Sequence, residues 1–545
     1  MKRLQFMVLS TAALLVIGFI FTSAGGSDRG SGTTQPGGRG HISVTVYDRG
    51  NIPAAEGTIE NNRWTRWINE NGPVDVTFVA IPRVRPEERL NVLFASRTAP
   101  DLIFEFAAPI KDDLWRQGML MPIDEMIERY STNYKEFLVN QPAIRRAATM
   151  PDGRMYHFGR TNLLNSQRVL LIREDWLENL GLNVPNTIEE LFQVAKAFAE
   201  QDPDGNGIRD TYGMVLSSSA GPTIDQMFGA TTWGIVNNEW VRTWERTEAS
   251  LNFRKRLFDE NIVDRDFLSD TQGRTAIQDL VNGRVGIFPW LMTNYLNFFN
   301  NEYATFRRNV PEGRLIQIPF PETQFGRFNG VTQNPVQLTA FVNADARNPE
   351  AIMRYVDFIS SAEAWMTLNN GIEGVHFNMV NGIPINIDAQ RRNQEVAWAM
   401  DYLMLISYET TSRFAHPTGG FDLSDPIQRE GYNMWKNSFR MYLDPNLPFA
   451  EITHPEHWPQ LPSDLALLNS GMNLGDIFNR ALVLGPAYTA AQAMSDARAA
   501  WDRGGGRQIE AWYANWWRTE SQNTFLFIRD NYEIIRQQDV YNRLP

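Results

Sequence analysis

Apolar residues recur along the chain with two different periods. In residues 42–46 and 74–78 every second residue is apolar, a pattern typical of half-buried β-strands. Residues 86–96 carry apolar side chains at helical spacing, and the apolar run at 102–104 predicts a buried strand. Strand, helix and strand therefore alternate here, which indicates an α/β fold.

The same alternation returns further along the chain. The apolar run at 169–172 predicts a strand, and a helix is predicted from Thr187 to Gln201 because Thr187 and Glu190 form a capping box before an apolar stripe. Another helix is predicted from Asn348, a capping residue that is followed by proline. We expect α/β lobes with mainly parallel strand pairing and a helix-rich C-terminal region at 385–545.

Length and composition limit the possible functions. The 545 residues exceed the roughly 250 to 300 at which one core stops growing, so at least two lobes with a cleft between them are expected. The net charge of -12 opposes binding to nucleic acid or anionic lipid. Since the chain has no cysteine, disulfides, thiolate metal sites and a cysteine nucleophile are excluded.

The N-terminal residues predict export. Lys2 and Arg3 precede an apolar stretch at 6–21 and small residues at Thr22 and Ala24, which is the order of a signal peptide over 1–24. An uncleaved anchor is the alternative, since the stretch is nearly long enough to span a bilayer. Residues 25–40 are rich in Gly, Ser and Thr and predict a flexible tether.

Several stretches resemble the family 1 extracellular solute-binding proteins of carbohydrate ABC importers, particularly their long lipoprotein-like branch. The matching segments are APDLIF at 99–104, QGMLMPIDEMIERYSTNYKEFL at 117–138, LIREDWLENLGLNVPNTIEEL at 171–191, DPDGNGIRDTYG at 202–213 and NNGIEGVHFNMVNG at 369–382. One departure is the missing lipid-modified cysteine, because Gly25 follows Ala24 where relatives carry it. A lipid anchor is therefore not expected.

The resemblance implies a periplasmic-binding-protein-like fold of two lobes that close on a ligand by a hinge motion. Lobe 1 would comprise 41–159 and 332–384, and lobe 2 would comprise 160–331 and 385–545. The expected ligand is a sugar or oligosaccharide, and the expected partner is an ABC permease in the membrane. We expect a monomer that acts outside the cytoplasm, in the periplasm or at the outer face of the membrane.

One loop has the spacing of a calcium site. Oxygen-bearing side chains alternate from Asp202, with a glycine at the sixth position and a carbonyl ligand at the seventh. The predicted structural Ca2+ ligands are Asp202, Asp204, Asn206, Ile208 and Asp210. Gly213 stands at the twelfth position, where such loops carry glutamate, so coordination would need a ligand from elsewhere. An ordinary surface turn is the alternative.

Aromatic residues make up 12% of the chain, including 16 tryptophans, and their rings suit the apolar faces of sugars. The predicted ligand residues are Glu105, Phe106, Trp233, Trp290, Asn294, Trp398 and Tyr488. Trp290 follows an apolar strand at 285–288, and Glu105 follows the strand at 102–104, where side chains project into a crevice. Ordinary packing is the alternative for each aromatic residue.

Two further clusters favour structural roles. His454 and His457 lie in a proline-bounded loop, which predicts ordinary packing in preference to a zinc pair. The WYANWW segment at 512–517 is distributed around a helix and predicts packing of the C-terminal helices, with a transporter-facing surface as the alternative.

Two other classes of function remain open from sequence. A secreted glycoside hydrolase would share the export signal and the aromatic cleft, and it needs two carboxylates about 5 to 10 Å apart. The sequence contains neither a GxSxG elbow nor an HExxH site nor a phosphate loop, which favours a binding protein over an enzyme. A structural or adhesive surface protein would fit the tether but not the matching segments.

Overall fold

The computed structural model describes residues 39–537, so the predicted signal peptide and residues 25–38 of the predicted tether lie outside the described residues. The strands are β1 (His41–Asp48), β2 (Asp75–Pro82), β3 (Leu102–Phe104), β4 (Leu120–Met121), β5 (His157–Thr161), β6 (Arg168–Arg173), β7 (Tyr212–Met214), β8 (Trp233–Val236), β9 (Glu239–Arg242), β10 (Val285–Leu291), β11 (Leu315–Ile318), β12 (Val336–Asn343), β13 (Phe377–Val380) and β14 (Ile383–Asn386). The apolar patterns at 42–46, 74–78, 102–104 and 169–172 each coincide with one of these strands.

Helices make up most of the remaining regular structure. They are α1 (Arg63–Asn71), α2 (Pro86–Ala95), α3 (Ala108–Arg116), α4 (Asp124–Tyr130), α5 (Asn133–Asn140), α6 (Pro142–Ala148), α7 (Glu174–Leu180), α8 (Ile188–Glu200), α9 (Ala220–Met227), α10 (Trp244–Asp259), α11 (Arg274–Val281), α12 (Tyr295–Phe298), α13 (Ala304–Asn309), α14 (Pro349–Ile359), α15 (Ala362–Asn370), α16 (Ala389–Glu395), α17 (Tyr408–Thr411), α18 (Pro426–Tyr442), α19 (Ser463–Ser470), α20 (Gly475–Val483), α21 (Ala490–Arg503), α22 (Gly506–Thr519) and α23 (Tyr532–Gln537). Short 3-10 or π-helical turns occur at Ala54–Glu56, Phe299–Tyr303, Ala397–Leu403, Ser412–Phe414, Pro455–His457, Gly485–Ala487, Ser521–Asn523 and Phe527–Asn531.

Local capping signals explain where several helices begin. The Thr187 side chain accepts a hydrogen bond from the Glu190 backbone N–H at 3.2 Å, and the Glu190 carboxylate accepts one from the Thr187 N–H in return. The Asn348 side chain caps α14 by accepting a hydrogen bond from the Ala351 N–H at 3.1 Å, with Pro349 in the first turn. These contacts satisfy backbone donors that have no partner inside the helix, which confirms both predicted helix starts.

Two mixed sheets form the centre of the fold. The first has the order β2-β1-β3-β12-β4 with β5 paired to β12, and the second has the order β11-β6-β10-β7. β1 runs parallel to β2 and β3, whereas β12 is antiparallel to each of its three partners. In the second sheet only the β7–β10 pair is parallel.

The prediction of mainly parallel pairing was therefore wrong. Parallel pairing arises when consecutive strands share one sheet and are joined by a crossover helix. Here β5 is followed by β6 in the other sheet, and β11 is followed by β12 back in the first sheet. β6 and β12 each follow a strand of the other sheet, so no crossover helix joins either of them to a preceding strand of its own sheet. Both run antiparallel to their neighbours.

Buried apolar side chains of the described residues form three clusters. Core 1 surrounds the first sheet and draws on 42–164, 336–368, 396–449 and 525–535. Core 2 surrounds the second sheet and draws on 169–320, 421–442 and 481–494. The aromatic cluster joins the β8–β9 hairpin to residues 452–526. Together they belong to one compact unit that begins at Gly40.

The chain passes between the two sheets through two adjacent segments. It leaves the first sheet after Thr161 and returns to it at Val336. Ser166 pairs with Thr332 in a short antiparallel bridge, and the Gln167 N–H donates to the Val331 carbonyl at 2.8 Å. The two connections between the sheets therefore run side by side and are hydrogen-bonded to each other. The lobe boundaries predicted from sequence stay predictions.

The C-terminal region is largely helical in its described part, as predicted, from α16 to α23. None of the helices between residues 39 and 537 combines the length and the apolarity that a membrane crossing requires.

Candidate functional site

Cavity 1, of about 620 Å³, lies between core 1 and the aromatic cluster. Helix α3, which directly follows strand β3, contributes Ala108, Lys111 and Trp115 to its lining. The opposite side is formed by the 456–463 segment and by α22. Because α3 begins at the carboxyl end of β3, the cavity lies where α/β sheets usually bind ligands.

Two buried nitrogen bases line cavity 1. Lys111 donates from Nζ to the Leu338 carbonyl oxygen at 2.8 Å, and burial lowers its pKa to about 8. Burial also lowers the pKa of His157, whose Nδ1 is buried without a hydrogen-bond partner. Asp112, on the same helix turn as Lys111, has its pKa raised to about 6 by burial. Both bases are therefore largely dehydrated where they border the cavity.

Cavity 2, of about 680 Å³, lies between core 2 and the aromatic cluster. Helix α9, which follows strand β7, contributes Asp225 and Gln226, and the start of β8 contributes Trp233. Trp501 from α21 and Tyr513 from α22 complete the aromatic side. A helix that follows a strand of the second sheet thus lines cavity 2, just as α3 after β3 lines cavity 1.

Charged groups line cavity 2 as well. Arg168, the first residue of β6, donates to the Ser219 carbonyl at 3.3 Å and to the Thr223 hydroxyl at 3.0 Å. Burial lowers the Arg168 pKa, and Glu451 and Asp225 partly oppose that effect. Burial raises the pKa of Glu451, whose Oε2 is buried without a partner.

Trp458 lines both cavities. Its ring centroid lies 5.3 Å from that of Trp240 and 5.8 Å from that of Tyr513, with near-perpendicular planes in both pairs. Tyr513 lines cavity 2 and Trp516 lines cavity 1, and the two are three residues apart on α22, which places them on one helix face. A single aromatic wall therefore serves both cavities.

The arrangement suits a ligand with flat apolar faces and many hydroxyl groups. Each cavity lies within the roughly 300 to 1,000 Å³ range of small-molecule sites. Aromatic rings supply stacking surface, while lysine, arginine, carboxylate and amide groups supply hydrogen bonds.

The structure places one of the seven predicted ligand residues, Trp233, in a cavity lining. Trp233 is buried in the aromatic cluster, with ring centroids 5.1 Å from Tyr513 and 5.8 Å from Trp501. The linings of cavities 1 and 2 do not include the other six. All seven assignments stay predictions.

Glu105 and Phe106 lie between β3 and α3, the helix that contributes residues to the lining of cavity 1. The Glu105 carboxylate is buried and accepts a hydrogen bond from the Ala107 N–H at 2.7 Å, while its second oxygen has no partner. Phe106 stacks on Tyr47 at 6.0 Å, and Arg83 lies over both rings.

Trp290 and Asn294 lie together at the end of β10. Trp290 stacks on Phe288 with ring centroids 4.6 Å apart and is packed against core 2. Asn294 caps α12, because its side chain accepts a hydrogen bond from the Asn297 N–H at 2.9 Å.

The last two predicted ligand residues make local contacts. Trp398 is buried in core 1 and donates from its indole N–H to the Gln394 carbonyl at 3.0 Å. Tyr488 donates from its hydroxyl to Asp496 at 2.6 Å, and Arg480 lies over its ring.

Sequence reasoning missed Trp458, Lys111 and the cavity-lining face of α22. Trp458 lies directly after the HPEH sequence and before a proline, and a single aromatic residue in such a loop has no pattern that predicts a ligand site. His457 is buried, and its Nε2 lies 2.6 Å from the Val336 carbonyl oxygen. That contact fits the predicted packing role. Lys111 could have been noticed in the sequence, because a lysine on the buried face of a helix that follows a strand is unusual.

The predicted calcium loop is an ordered turn that follows α8. Asp202 accepts hydrogen bonds from the backbone N–H groups of Asn206 at 3.2 Å and Gly207 at 3.0 Å. Burial raises the pKa of Asp204, and the nearby Asp202 and Asp210 carboxylates raise it further. Across residues 39–537, no group of three or more His, Cys, Asp or Glu side chains is arranged to hold a metal ion.

Gly213, the twelfth position of the calcium loop, is buried in β7 against α8. A Cβ atom there would overlap the carbonyl oxygen of Ala195. Backbone cannot move aside as a side-chain end can, so a glutamate does not fit at this position. Strand packing therefore explains the departure from the usual loop pattern.

Taken together, the two α/β cores, the paired crossings and the cavities define a binding protein of the two-lobed α/β class. The family model described as bacterial extracellular solute-binding protein matches residues 58–364. The chain belongs to this family.

Two relatives by sequence are named for carbohydrate ligands. The polygalacturonan/rhamnogalacturonan-binding protein YtcQ of Bacillus subtilis (strain 168) is 29% identical over 326 residues, which are 56% of this chain and 61% of that protein. The chain thus matches about three fifths of the length of YtcQ. The fructooligosaccharide ABC transporter substrate-binding protein FusA of Streptococcus pneumoniae is 31% identical over 162 residues, 28% of this chain and 30% of that protein.

Solved structures share the fold. An extracellular solute-binding protein from Bifidobacterium longum subsp. infantis has a TM-score of 0.64 and 16% identity, over 90% of this chain and 100% of that chain. An EF-hand mutant of FusA in complex with fructo-nystose has a TM-score of 0.58 and 15% identity, over 89% and 100% of the two chains.

Proposed function

We propose that this protein is the extracytoplasmic substrate-binding component of an ABC transporter and that it binds a sugar or oligosaccharide. The family and the names of YtcQ and FusA support this assignment. These relatives are named as binding proteins, which favours capture of an unreacted ligand over the glycoside hydrolase alternative. A membrane permease is the proposed partner, and the protein acts as a monomer.

The observation that carries the proposal is the pair of cavities that share Trp458. One cavity lies against each core, and both open beside a common aromatic wall. A chain of sugar units has the shape to occupy both cavities, since its rings stack on aromatic faces and its hydroxyls pair with the polar groups.

Ligand capture would work through closure of the two cores about the paired crossings. A ligand that touches both cores stabilises the closed form only through contacts that the open form lacks. The bridge between Ser166 and Thr332 is the proposed pivot, because it joins the two crossings next to cavity 2. The closed form is then the state that the permease recognises.

Thermal-shift screening against a panel of oligosaccharides tests the proposal, because a ligand of the native state raises the melting temperature. Calorimetry on each hit should give one binding event per protein, and the sugar recovered after long incubation should be intact. Cleavage of the sugar at an appreciable rate would support the hydrolase alternative instead. A full panel without any shift would count against sugar binding.

The loop from Asp202 to Asp210 is proposed to hold a structural calcium ion. Its support is the closeness of the loop carboxylates: burial raises the Asp204 pKa, the neighbouring Asp202 and Asp210 raise it further, and a divalent cation would relieve that repulsion. FusA, described as having an EF-hand, shares the fold. The carboxylates and the Ile208 carbonyl would bind the ion and brace the turn between α8 and β7.

Melting with Ca2+ against melting with a chelator tests the calcium proposal. Calcium should raise the melting temperature of the wild type but not that of Asp204→Asn. Asp345→Asn, which removes an exposed carboxylate outside the loop, is the matched control and should respond like the wild type. A wild-type melting temperature that is the same with Ca2+ and with the chelator would contradict the proposal.

A further inference from the structure

Arg242 occupies an unusual place in cavity 2. It is the last residue of β9, directly paired with Trp233 across the hairpin. Its guanidinium carbon lies 4.0 Å from the ring centroid of Trp501 and 4.4 Å from that of Trp244. The cation therefore lies in a corner between two aromatic rings whose planes are 75° apart.

The N–H groups of Arg242 have no acceptor. Within residues 39–537 the Arg242 side chain makes neither a hydrogen bond nor an ion pair. Its nitrogens are not fully buried, and the residue lines cavity 2. The guanidinium nitrogens consequently reach the open space of the cavity. The other arginine of this lining, Arg168, differs because it donates to Ser219 and Thr223.

An unpaired arginine in such a place is costly. Burial lowers its pKa to about 10, and the opposing influence of Glu510 comes from beyond ion-pair distance. A guanidinium holds five N–H donors in a fixed fork, and two parallel bonds to a carboxylate satisfy that fork best. Neutral sugar hydroxyls would accept single bonds and leave the charge uncompensated.

The acids of cavity 2 do not provide that compensation. Asp225 accepts a hydrogen bond from the Ser250 hydroxyl at 2.5 Å and pairs with Arg254 at 3.1 Å. Glu451 lines the same cavity but lies beyond ion-pair distance of Arg242, and burial raises its pKa. An acid whose ionised form is disfavoured repels an incoming anion less than a solvated carboxylate would.

We propose that Arg242 is the anchor for a carboxylate of the ligand, so that cavity 2 receives an acidic sugar unit, a uronate, within an oligosaccharide. The inference rests on the proposed sugar-binding function and names the class of sugar. The carboxylate meets the free edge of the guanidinium, while Trp233 and Tyr513 of the same lining lie close enough to contact the sugar ring.

Calorimetry with a matched pair of ligands tests the proposal. Tetragalacturonate and its fully methyl-esterified form share one backbone and differ in charge. The wild type should bind the acid form roughly 10- to 100-fold more tightly, as expected for charge-assisted hydrogen bonds in a partly dehydrated site. Arg242→Met, which keeps an apolar side chain of similar length, should lose this preference.

Arg246→Met is the matched control. It removes the same charge from an arginine that packs over Phe328 at 5.1 Å but does not line cavity 2, so the preference for the acid form should persist. Arg242→Lys keeps the charge without the fork and should retain a reduced preference. Melting curves identify variants that fail to fold, in which case Arg242→Lys carries the test.

The possible outcomes separate the two proposals. Equal affinity of the wild type for both forms, or an equal loss for both forms in Arg242→Met, would overturn the role of Arg242 while leaving sugar binding intact. A wild-type protein that binds neither these ligands nor any member of the oligosaccharide panel would overturn the proposed function itself.

Discussion

Replacing Trp458 with alanine should weaken ligand binding more than any other single tryptophan change at the aromatic wall. Trp458 is partly buried, with at most about a third of its surface exposed. A tryptophan buries up to about 250 Å², so a ligand can cover roughly 80 Å² of the exposed part. At about 25 cal/mol per Å² this is worth about 2 kcal/mol, or roughly a 30-fold loss of affinity.

Isothermal titration with the best ligand from the oligosaccharide panel measures this loss. The experiment should be run well below the melting temperature, because Trp458→Ala also removes contacts with Trp240 and Tyr513. Trp365→Ala is the matched control, since this tryptophan is also partly buried and stacks on Phe414 but lines neither cavity. The control should bind the ligand as the wild type does.

A folded Trp458→Ala variant whose affinity stays within twofold of the wild type would refute the reasoning. The ligand would then occupy neither cavity beside the shared wall. A similar loss in both variants would instead indicate a general effect on the fold.

Three further outcomes are expected. Burial lowers the Lys111 pKa from the usual 10.5 to about 8. Between pH 8 and 10.5 the unfolded chain therefore holds a proton that the folded chain lacks, so the free energy of unfolding should rise with pH. Relative to Lys111→Met, the rise should be roughly 3 kcal/mol at most. Urea unfolding at pH 7.5 and 10 measures this, and parallel pH curves would contradict it. Gly213→Ala should lower the free energy of unfolding by about 1 to 3 kcal/mol, because the added Cβ meets the backbone of Ala195. Gly475→Ala is the control and should be tolerated, because its Cβ would make only an ordinary contact. A wild-type melting temperature for Gly213→Ala would argue against tight packing at this position. The family resemblance predicts that Trp290→Ala weakens sugar binding by about 1 to 3 kcal/mol, whereas a ligand confined to cavities 1 and 2 would leave the affinity unchanged. Calorimetry on this variant therefore tests whether the site extends to Trp290.

Local signals made much of the secondary structure predictable. The capping box at Thr187 and the cap at Asn348 act within one helical turn, so the residues that decide each helix start are adjacent in sequence. The apolar run that became β6 is long enough to be recognised without knowing its partners. For the two helix starts the stabilising hydrogen bonds lie within the segment itself, whereas those of β6 come from β10 and β11 and only its apolar run is local.

Strand direction and cavity lining could not be read in the same way. β12 is antiparallel to β3, β4 and β5, and the strand that precedes it in the chain lies in the other sheet, so no pattern within β12 records its direction. Trp458 and Trp290 are both tryptophans beside polar loops, yet only Trp458 lines the shared wall. The difference depends on residues far away in sequence, such as Tyr513, which packs against Trp458.

The sequence alone determined the α/β class, the helix-rich C-terminal region, the family resemblance and the acidic, cysteine-free character of the chain. Those properties follow from composition and from periodicities that act over a few residues. Only the tertiary structure decided which aromatic residues meet at the cavities, why Gly213 replaces a glutamate and that Arg242 faces open space without an acceptor. Such features depend on contacts between different elements, from 18 residues apart for Gly213 and Ala195 to 259 for Arg242 and Trp501, where packing and not local preference selects the neighbours.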